Sequence, residues 1–325
     1  MAARRHRPAP VGQGPARAAA GAGGGIRMKR ALVVGGEGQV GWEMQRVLHP
    51  FMQLVVPSPG ELDLAQPRAA GQAVRALAPD VILNCAAYTA VDRAEQEAAL
   101  AQAINADAVH EMGRAAAALG VPIVHFSTDY VFPGDGRAPY REDDPVGPLS
   151  AYGHTKLAGE LALAASGAAY WTFRTSWVYA ARGRNFVKAI VARAQEAGSL
   201  RVVSDQRGSP TWARTLAEVI GGLLVVPLRG GRPLAEAVGA TAGVYHLTSR
   251  GETSWYEFAC FVVDQLAPRL NRPVTVTPIA THEFQTVAVR PAYSVLDTTR
   301  LRDTFGVALP HWQDAAHLCL ADLPV

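Results

Sequence analysis

The chain has 325 residues, 49% hydrophobic and 18% charged, with a formal charge of +3. That composition describes a globular chain with a sizeable core, and it argues against nucleic acid as a partner: five of the 31 basic residues fall in residues 1–27, which hold no acid, leaving 26 basic against 28 acidic residues from Met28 onward. No apolar run reaches the roughly 18 residues of a membrane span, and three cysteines, Cys85, Cys260 and Cys319, form neither a CxxC pair nor a metal-ligand spacing, which fits a reducing, cytoplasmic setting better than a disulfide framework.

Residues 1–27 are rich in Ala, Gly, Pro and Arg, lack periodicity and lack the apolar centre of a secretory signal. They read as a disordered extension, with Met28 a candidate start. From Lys29 onward β-branched apolar runs alternate with alanine-rich segments. Strands are expected over 30–34, 53–56, 81–87, 121–127 and 171–179, and helices over 40–48, 95–119 and 152–165. A strand follows at 200–204, a helix after Thr211, a strand at 243–249 and a helix near 254–267, while 229–240 reads as a surface linker. Near-continuous apolar strands between helices imply a parallel sheet covered on both faces. The expected fold is α/β, a Rossmann-like doubly wound parallel sheet with a smaller C-terminal substrate lobe. Its dinucleotide-binding domain spans 28–175 with later returns near 200–228, and the lobe is drawn mainly from 176–325.

Along that frame, Gly35, Gly38 and Gly41 lie in "VVGGEGQVGWEM" (33–44), between the first strand and the first helix. Glycines there permit a tight turn, a close backbone approach to a pyrophosphate and close packing of helix on strand, and a helix N-terminus offers free N–H groups to phosphate. The tip of the second strand carries Val56, Pro57 and Ser58. It has no carboxylate for the ribose 2′-OH of NAD and no arginine for a 2′-phosphate, so NADPH is admissible and NADH stays open. Asp63 either meets the adenine side of the cofactor or caps a helix before Pro67.

Farther on, "HFSTDYVF" (125–132) ends a strand with Ser127, Thr128, Asp129 and Tyr130. In an open α/β sheet the ligand crevice lies outside such carboxyl ends. "SAYGHTKLAGE" (150–160) then sets Tyr152 and Lys156 one helical turn apart, on one face. Hydride delivery to a carbonyl carbon creates an alkoxide that needs a proton. A phenol with an ordinary pKa near 10 is sluggish at that task, and a neighbouring ammonium makes it a better acid. Thr128 can polarise the carbonyl. Tyr152, Lys156 and Thr128 together make a coherent ketoreductase site.

These features resemble the extended short-chain dehydrogenase/reductase superfamily and, within it, the dTDP-4-dehydrorhamnose reductase family. The resemblance runs from Met28 onward through seven blocks in order: "GGEGQVGWEM", "DVILNCAAYTAVDRAE" (80–95), "STDYVF", "YGHTKLAGE", "RTSWVYA" (174–180), "DQRGSPTWA" (205–213) and "RPAYSVLDTTRL" (290–301). It implies reduction of the 4-keto group of a dTDP-keto-deoxysugar, with Tyr152 as proton donor, Lys156 as its partner and cofactor ligand, and Thr128 as the third catalytic residue. It implies further that Gly35, Gly38, Gln39 and Val40 hold the pyrophosphate, that Asp63 and Leu64 flank adenosine, and that Ala87, Tyr88 and Thr89 line the cofactor path. Asp129 and Trp177 would contact the sugar, with Val91 and Tyr130 lining that pocket. Several positions keep a second reading: Asn105 as a brace or an ordinary helix residue, Trp177 as a core aromatic, Arg290 as a diphosphate ligand or a surface ion pair. A reductase for another nucleotide deoxysugar and a non-catalytic NADP-binding subunit stand as alternatives.

Some members of the family bridge a dimer through magnesium held by glutamates. Glu43 matches one of these, but Arg214 and Gln313 stand where the others would be, so no metal is expected and a homodimer stays open. Trp255, Tyr256 and Cys260 read as core of the late helix.

Overall fold

The computed structural model describes residues 28–323; the expected disordered extension, 1–27, lies outside the described residues. The first strand, β1 (Arg30–Val34), is buried from Ala31 to Val34, as a strand covered on both faces must be. It leads into α1 (Gln39–Leu48), β2 (Gln53–Val55), α2 (Pro67–Leu77), β3 (Val81–Asn84), α3 (Val91–Ala94), α4 (Ala98–Gln102), α5 (Ala108–Leu119), β4 (Ile123–Thr128), α6 (Ala151–Ala164) and β5 (Tyr170–Thr175). The second half brings β6 (Val178–Tyr179), α7 (Phe186–Glu196), β7 (Ser199–Val203), β8 (Arg207–Gly208), β9 (Thr211–Trp212), α8 (Ala213–Arg229), α9 (Leu234–Gly239), β10 (Gly243–His246), β11 (Thr253–Ser254), α10 (Trp255–Leu266), β12 (Thr275–Ile279), α11 (Thr299–Phe305) and α12 (Trp312–Ala321).

Six strands form one sheet in the order β10-β5-β4-β3-β1-β2, every pair parallel. The chain leaves β1 to one side for β2 and returns to its other side for β3. The crevice beyond the strand ends therefore opens at β1 and β3. This is the doubly wound α/β sheet that the alternating pattern predicts.

Hydrophobic cores cover both faces of the sheet. One joins Met44 and Leu48 of α1 to Leu216, Ile220 and Leu224 of α8; the other joins Val74 of α2 to Val109 and Met112 of α5. A separate core gathers Val187 and Ile190 of α7, Phe258 and Val262 of α10 and Trp312 and Cys319 of α12, beside the β7–β12 pair. Residues 199–203 lie with this second core; the return to the sheet runs through α8, α9 and β10.

Three segments depart from expectation. The strand expected over 171–179 breaks after Thr175, because Trp177 adopts a left-handed backbone, φ +47°. The helix expected over 95–119 is interrupted by a wide π turn over 103–107. The linker expected over 229–240 contains α9, whose Leu234 and Val238 are buried in the sheet's core. There, apolar spacing outweighs the Gly and Pro that suggested a loop.

Candidate active site

At the end of β1, Gly35 has φ +77°, and a Cβ on it would lie 2.6 Å from the amide nitrogen of Ala86. A Cβ on Gly41 would lie 2.2 Å from the carbonyl oxygen of Gly35, so glycine at 41 lets α1 sit against the turn. Gly38 is the N-cap of α1, offers no side-chain cap, and is followed by no acidic residue in the first turn. That leaves the positive helix end open to an anion. Gln39 turns sideways: its Oε1 accepts from Asn185 Nδ2, 2.8 Å, and its Nε2 donates to the Val178 carbonyl, 3.5 Å. Val40 follows, half-buried against the sheet's core.

Beside the turn is a cavity of about 190 Å³ lined by Gly35, Glu37, Pro57, Asp63, Leu64 and Ala87, among others. Asp63 faces it from a turn in which its carboxylate accepts from Ala65 N, 2.9 Å. The N-cap of α2 is Gln66, so the capping alternative for Asp63 fails. Beyond Ala87, the backbone of Tyr88 is braced by buried Asn105: Oδ1 accepts from Tyr88 N at 2.8 Å, and Nδ2 donates to Tyr88 O and to Thr155 Oγ1 at 3.2 and 3.0 Å. The Tyr88 hydroxyl turns away to Glu97, and Thr89 is exposed. Asn105 projects from the π turn, and α6 packs against it where Gly159 leaves room; a Cβ there would fall 2.1 Å from the Asn105 carbonyl. A wide turn and a close helix together bring a polar side chain of α4–α5 to the cofactor path.

The residues expected at the reaction centre lie where β4 ends and α6 begins. Ser150 caps α6 by accepting from Gly153 N, 3.2 Å, which sets the first turn that carries Tyr152. Thr128, buried, donates to Asp129 Oδ1, 3.0 Å, and accepts from Tyr130 N, 3.2 Å. Burial pushes the Tyr152 phenol up to about 12, and a hydrogen bond with Thr128 pulls the other way. Burial brings Lys156 down to about 8, opposed by the charge of Glu160 one turn on. Burial thus keeps the phenol protonated at neutral pH. Tyr130 meets Tyr152 edge-on, ring centroids 5.7 Å apart. Asp129 is buried, its pKa raised to about 6 by burial, with hydrogen bonds from Ser294 and Thr128 holding it back.

Across the crevice, Trp177 stacks on Trp255 with centroids 3.5 Å apart and planes 7° from parallel. Gly208 makes the stack feasible, since a Cβ there would lie 2.5 Å from the Trp177 indole. Trp177 is therefore no plain core aromatic, and Trp255 is not simply core of α10. Trp255 lines a second cavity, about 280 Å³, with Phe186, Arg193, Arg201, Gln206 and Arg290. Arg290 also makes a two-pronged ion pair with Asp92, 2.8 and 3.0 Å, so it is both an ion-pair partner and a lining residue. Val91, half-buried, opens α3 immediately before Asp92.

Glu43 is buried beside Arg46, 3.3 Å, and Arg214 pairs with Glu218, 2.8 Å. Among the described residues no group of three His, Cys, Asp or Glu side chains could hold a metal ion. No helix among them is long and apolar enough to cross a membrane. Asp92, Asn185 and Ser294 join the residues expected from sequence, and Trp255, expected as core of the late helix, lines the second cavity. Asn185 alone had a local signal, an N-cap residue before an apolar helical run; the others depend on contacts distant in the chain.

A parallel doubly wound sheet with a glycine turn at its switch point and a Tyr-x-x-x-Lys helix beside it define a nicotinamide-dependent oxidoreductase of the short-chain dehydrogenase/reductase class. Within that class, the chain belongs to the dTDP-4-dehydrorhamnose reductase family: the family model described as RmlD substrate binding domain matches residues 28–325. The chain is 44% identical over 299 residues to the dTDP-4-dehydrorhamnose reductase of Burkholderia thailandensis, covering 90% of this chain and 99% of that protein. It is 40% identical to the Escherichia coli enzyme of that name, covering 90% and 97%. The crystal structure of the Bacillus anthracis dTDP-4-dehydrorhamnose reductase in complex with NADP superposes with a TM-score of 0.82 at 33% identity, covering 91% of this chain and all of that one.

Proposed function

We propose that the chain reduces the 4-keto group of dTDP-4-dehydro-6-deoxy-L-mannose to give dTDP-L-rhamnose, with NADPH as cofactor. The observation that carries the reading is the hydrogen bond between Thr128 at the end of β4 and Tyr152 on α6, with Lys156 one turn farther along that helix, in a chain of this family. The site suits a dinucleotide: glycine at 35 and 41 lets the turn pack closely on Ala86 and α1 sit against the turn, and the start of α1 keeps its N–H groups open.

When bound, NADPH supplies the hydride. Gly35, Gly38, Gln39, Val40 and Gly41 would hold its pyrophosphate, Asp63 and Leu64 would flank its adenosine, and Ala87, Tyr88 and Thr89 would line the rest of its site. Tyr152 donates the proton to the oxygen that becomes the 4-hydroxyl, and Thr128 donates a hydrogen bond to the same oxygen. The charge of Lys156 stabilises the phenolate left behind. Asp129 and Trp177 hold the sugar, with Tyr130 and Val91 as walls. The cavity with Trp255, Arg193, Arg201 and Arg290 takes the nucleotide: aromatic rings suit a base and guanidinium forks suit a diphosphate. The second core, with α7 and α10 at its face, serves as the substrate lobe. Free Cys85, Cys260 and Cys319 support a cytoplasmic setting.

The test is NADPH oxidation followed by absorbance, with the keto-sugar made in situ and the product identified by NMR. Oxidation yielding dTDP-L-rhamnose is expected. Oxidation yielding the other C4 epimer, or none with NADPH bound, contradicts the proposal and moves the chain to another nucleotide deoxysugar.

A further inference from the structure

Lys156 does not stand alone below the crevice. Its Nζ donates to the Phe126 carbonyl, 2.5 Å, and lies 3.4 Å from Nε2 of His125. His125 is wholly buried on β4, and its Nδ1 lies 3.0 Å from Nδ2 of Asn84, wholly buried on β3. Asn84 Oδ1 in turn accepts from Ala86 N, 3.3 Å, the amide against which Gly35 packs. A row of polar groups therefore runs from the glycine turn through Asn84 and His125 to Lys156.

The imidazole in this row is neutral. Burial takes its pKa well below the ordinary value, and the charge of Lys156 lowers it further. A neutral ring has one acceptor nitrogen, yet it has a possible donor on each side. The bond from an ammonium is charge-assisted and the stronger of the two. Nε2 therefore accepts from Lys156, the ring proton sits on Nδ1, and the Asn84 amide turns to present Oδ1 to it, giving up the 3.3 Å bond from Ala86 N. We propose that His125 is a positioning residue, its Nε2 accepting from Nζ and anchoring Lys156 in its ammonium form.

The inference rests on the reading of Lys156 given above. Besides His125, the ionisable group whose charge acts on the ammonium is Glu160 of α6, which is paired with Arg174 of β5. Neither is altered when His125 is changed. Removing the acceptor costs the ammonium a partner, so the Lys156 pKa falls and its charge is lost at lower pH.

The experiment reads kcat/KM against pH for the whole enzyme and for His125→Phe and His125→Gln, with NADPH affinity measured in parallel. His125→Phe is expected to bring the alkaline limb about one pH unit lower, a loss of about tenfold at a given pH above it. His125→Gln keeps an acceptor and is expected to restore most of that shift, an outcome that mere space-filling would not produce. A limb in folded, NADPH-binding His125→Phe that coincides with the wild type overturns the proposal. If that variant does not fold, imidazole ¹⁵N shifts of the wild-type enzyme decide, assigned by difference from His125→Gln. A neutral ring protonated on Nδ1 at pH 7 is expected, and an imidazolium or a ring protonated on Nε2 overturns it. Lys156→Met separates the two readings: if it retains turnover, the role given to Lys156 fails, whereas an inactive Lys156→Met beside an unmoved His125→Phe limb sinks the His125 inference alone.

Discussion

Asp129 sits buried beside Thr128, whose hydroxyl donates to its Oδ1. Its pKa of about 6 stands above the ordinary 3.8, so the native chain holds this proton more tightly than the unfolded chain does. The sign follows: the contribution is fully present below about pH 4 and is lost as pH rises through about 6, a change of order 3 kcal/mol. Asp129→Asn should therefore melt above the wild type at pH 7.5, with the gap closing near pH 4. An equal gap at both values would show that ionisation is not the cause. Gly208 is the second telling residue. Gly208→Ala would drive a methyl into the Trp177 indole, and the predicted outcome is a KM for the dTDP-sugar raised about tenfold with NADPH affinity unchanged, about 1.4 kcal/mol of binding. Steady-state kinetics and fluorescence titration measure the two sides.

At the scale of elements, α6 carries Tyr152 and must hold one register against the sheet. Part of that register comes from Arg174 of β5, whose guanidinium grips the Glu160 carboxylate at 2.7 and 3.0 Å, both side chains buried. Breaking one partner of a buried pair leaves an uncompensated charge. Glu160→Gln is therefore predicted to lower the unfolding free energy by about 3–5 kcal/mol, seen as a drop in the urea midpoint with an unchanged slope. An effect below about 1 kcal/mol would mean the pair behaves like a surface bridge. What was legible beforehand follows from the same physics. The glycine turn and the Ser150–Lys156 stretch were readable because turn, cap and helix period are local signals. The left-handed Trp177 and the π turn at 103–107 were not, because each is imposed by a distant neighbour: Trp255 and Gly208 for the first, Gly159 of α6 for the second. The linker reading of 229–240 failed because Gly and Pro outvoted two apolar residues, Leu234 and Val238, that meet the core only once α8 has packed.

Across the whole molecule, the sheet and the second core meet along the crevice. Asp92 of α3 receives Arg290 through both prongs and the backbone N–H of Ala288 at 3.0 Å, joining positions 198 apart in the chain. The guanidinium beside it is the leading cause holding the Asp92 carboxyl below its ordinary pKa. Arg290 also lines the cavity that holds Trp255, so the ion pair and the cavity meet at one residue. Arg290→Gln is predicted to raise the KM for the dTDP-sugar about tenfold or more, with NADPH affinity within about twofold of the wild type. An unchanged KM would reduce Arg290 to an ion pair between lobes.

The account stands most directly on the proton given by Tyr152. The deciding measurement is turnover of Tyr152→Phe with the dTDP-keto-sugar, beside a titration with NADPH. The prediction is wild-type NADPH affinity with kcat reduced by about 10²–10⁴. Turnover near that of the wild type would contradict it and remove Tyr152 as the donor.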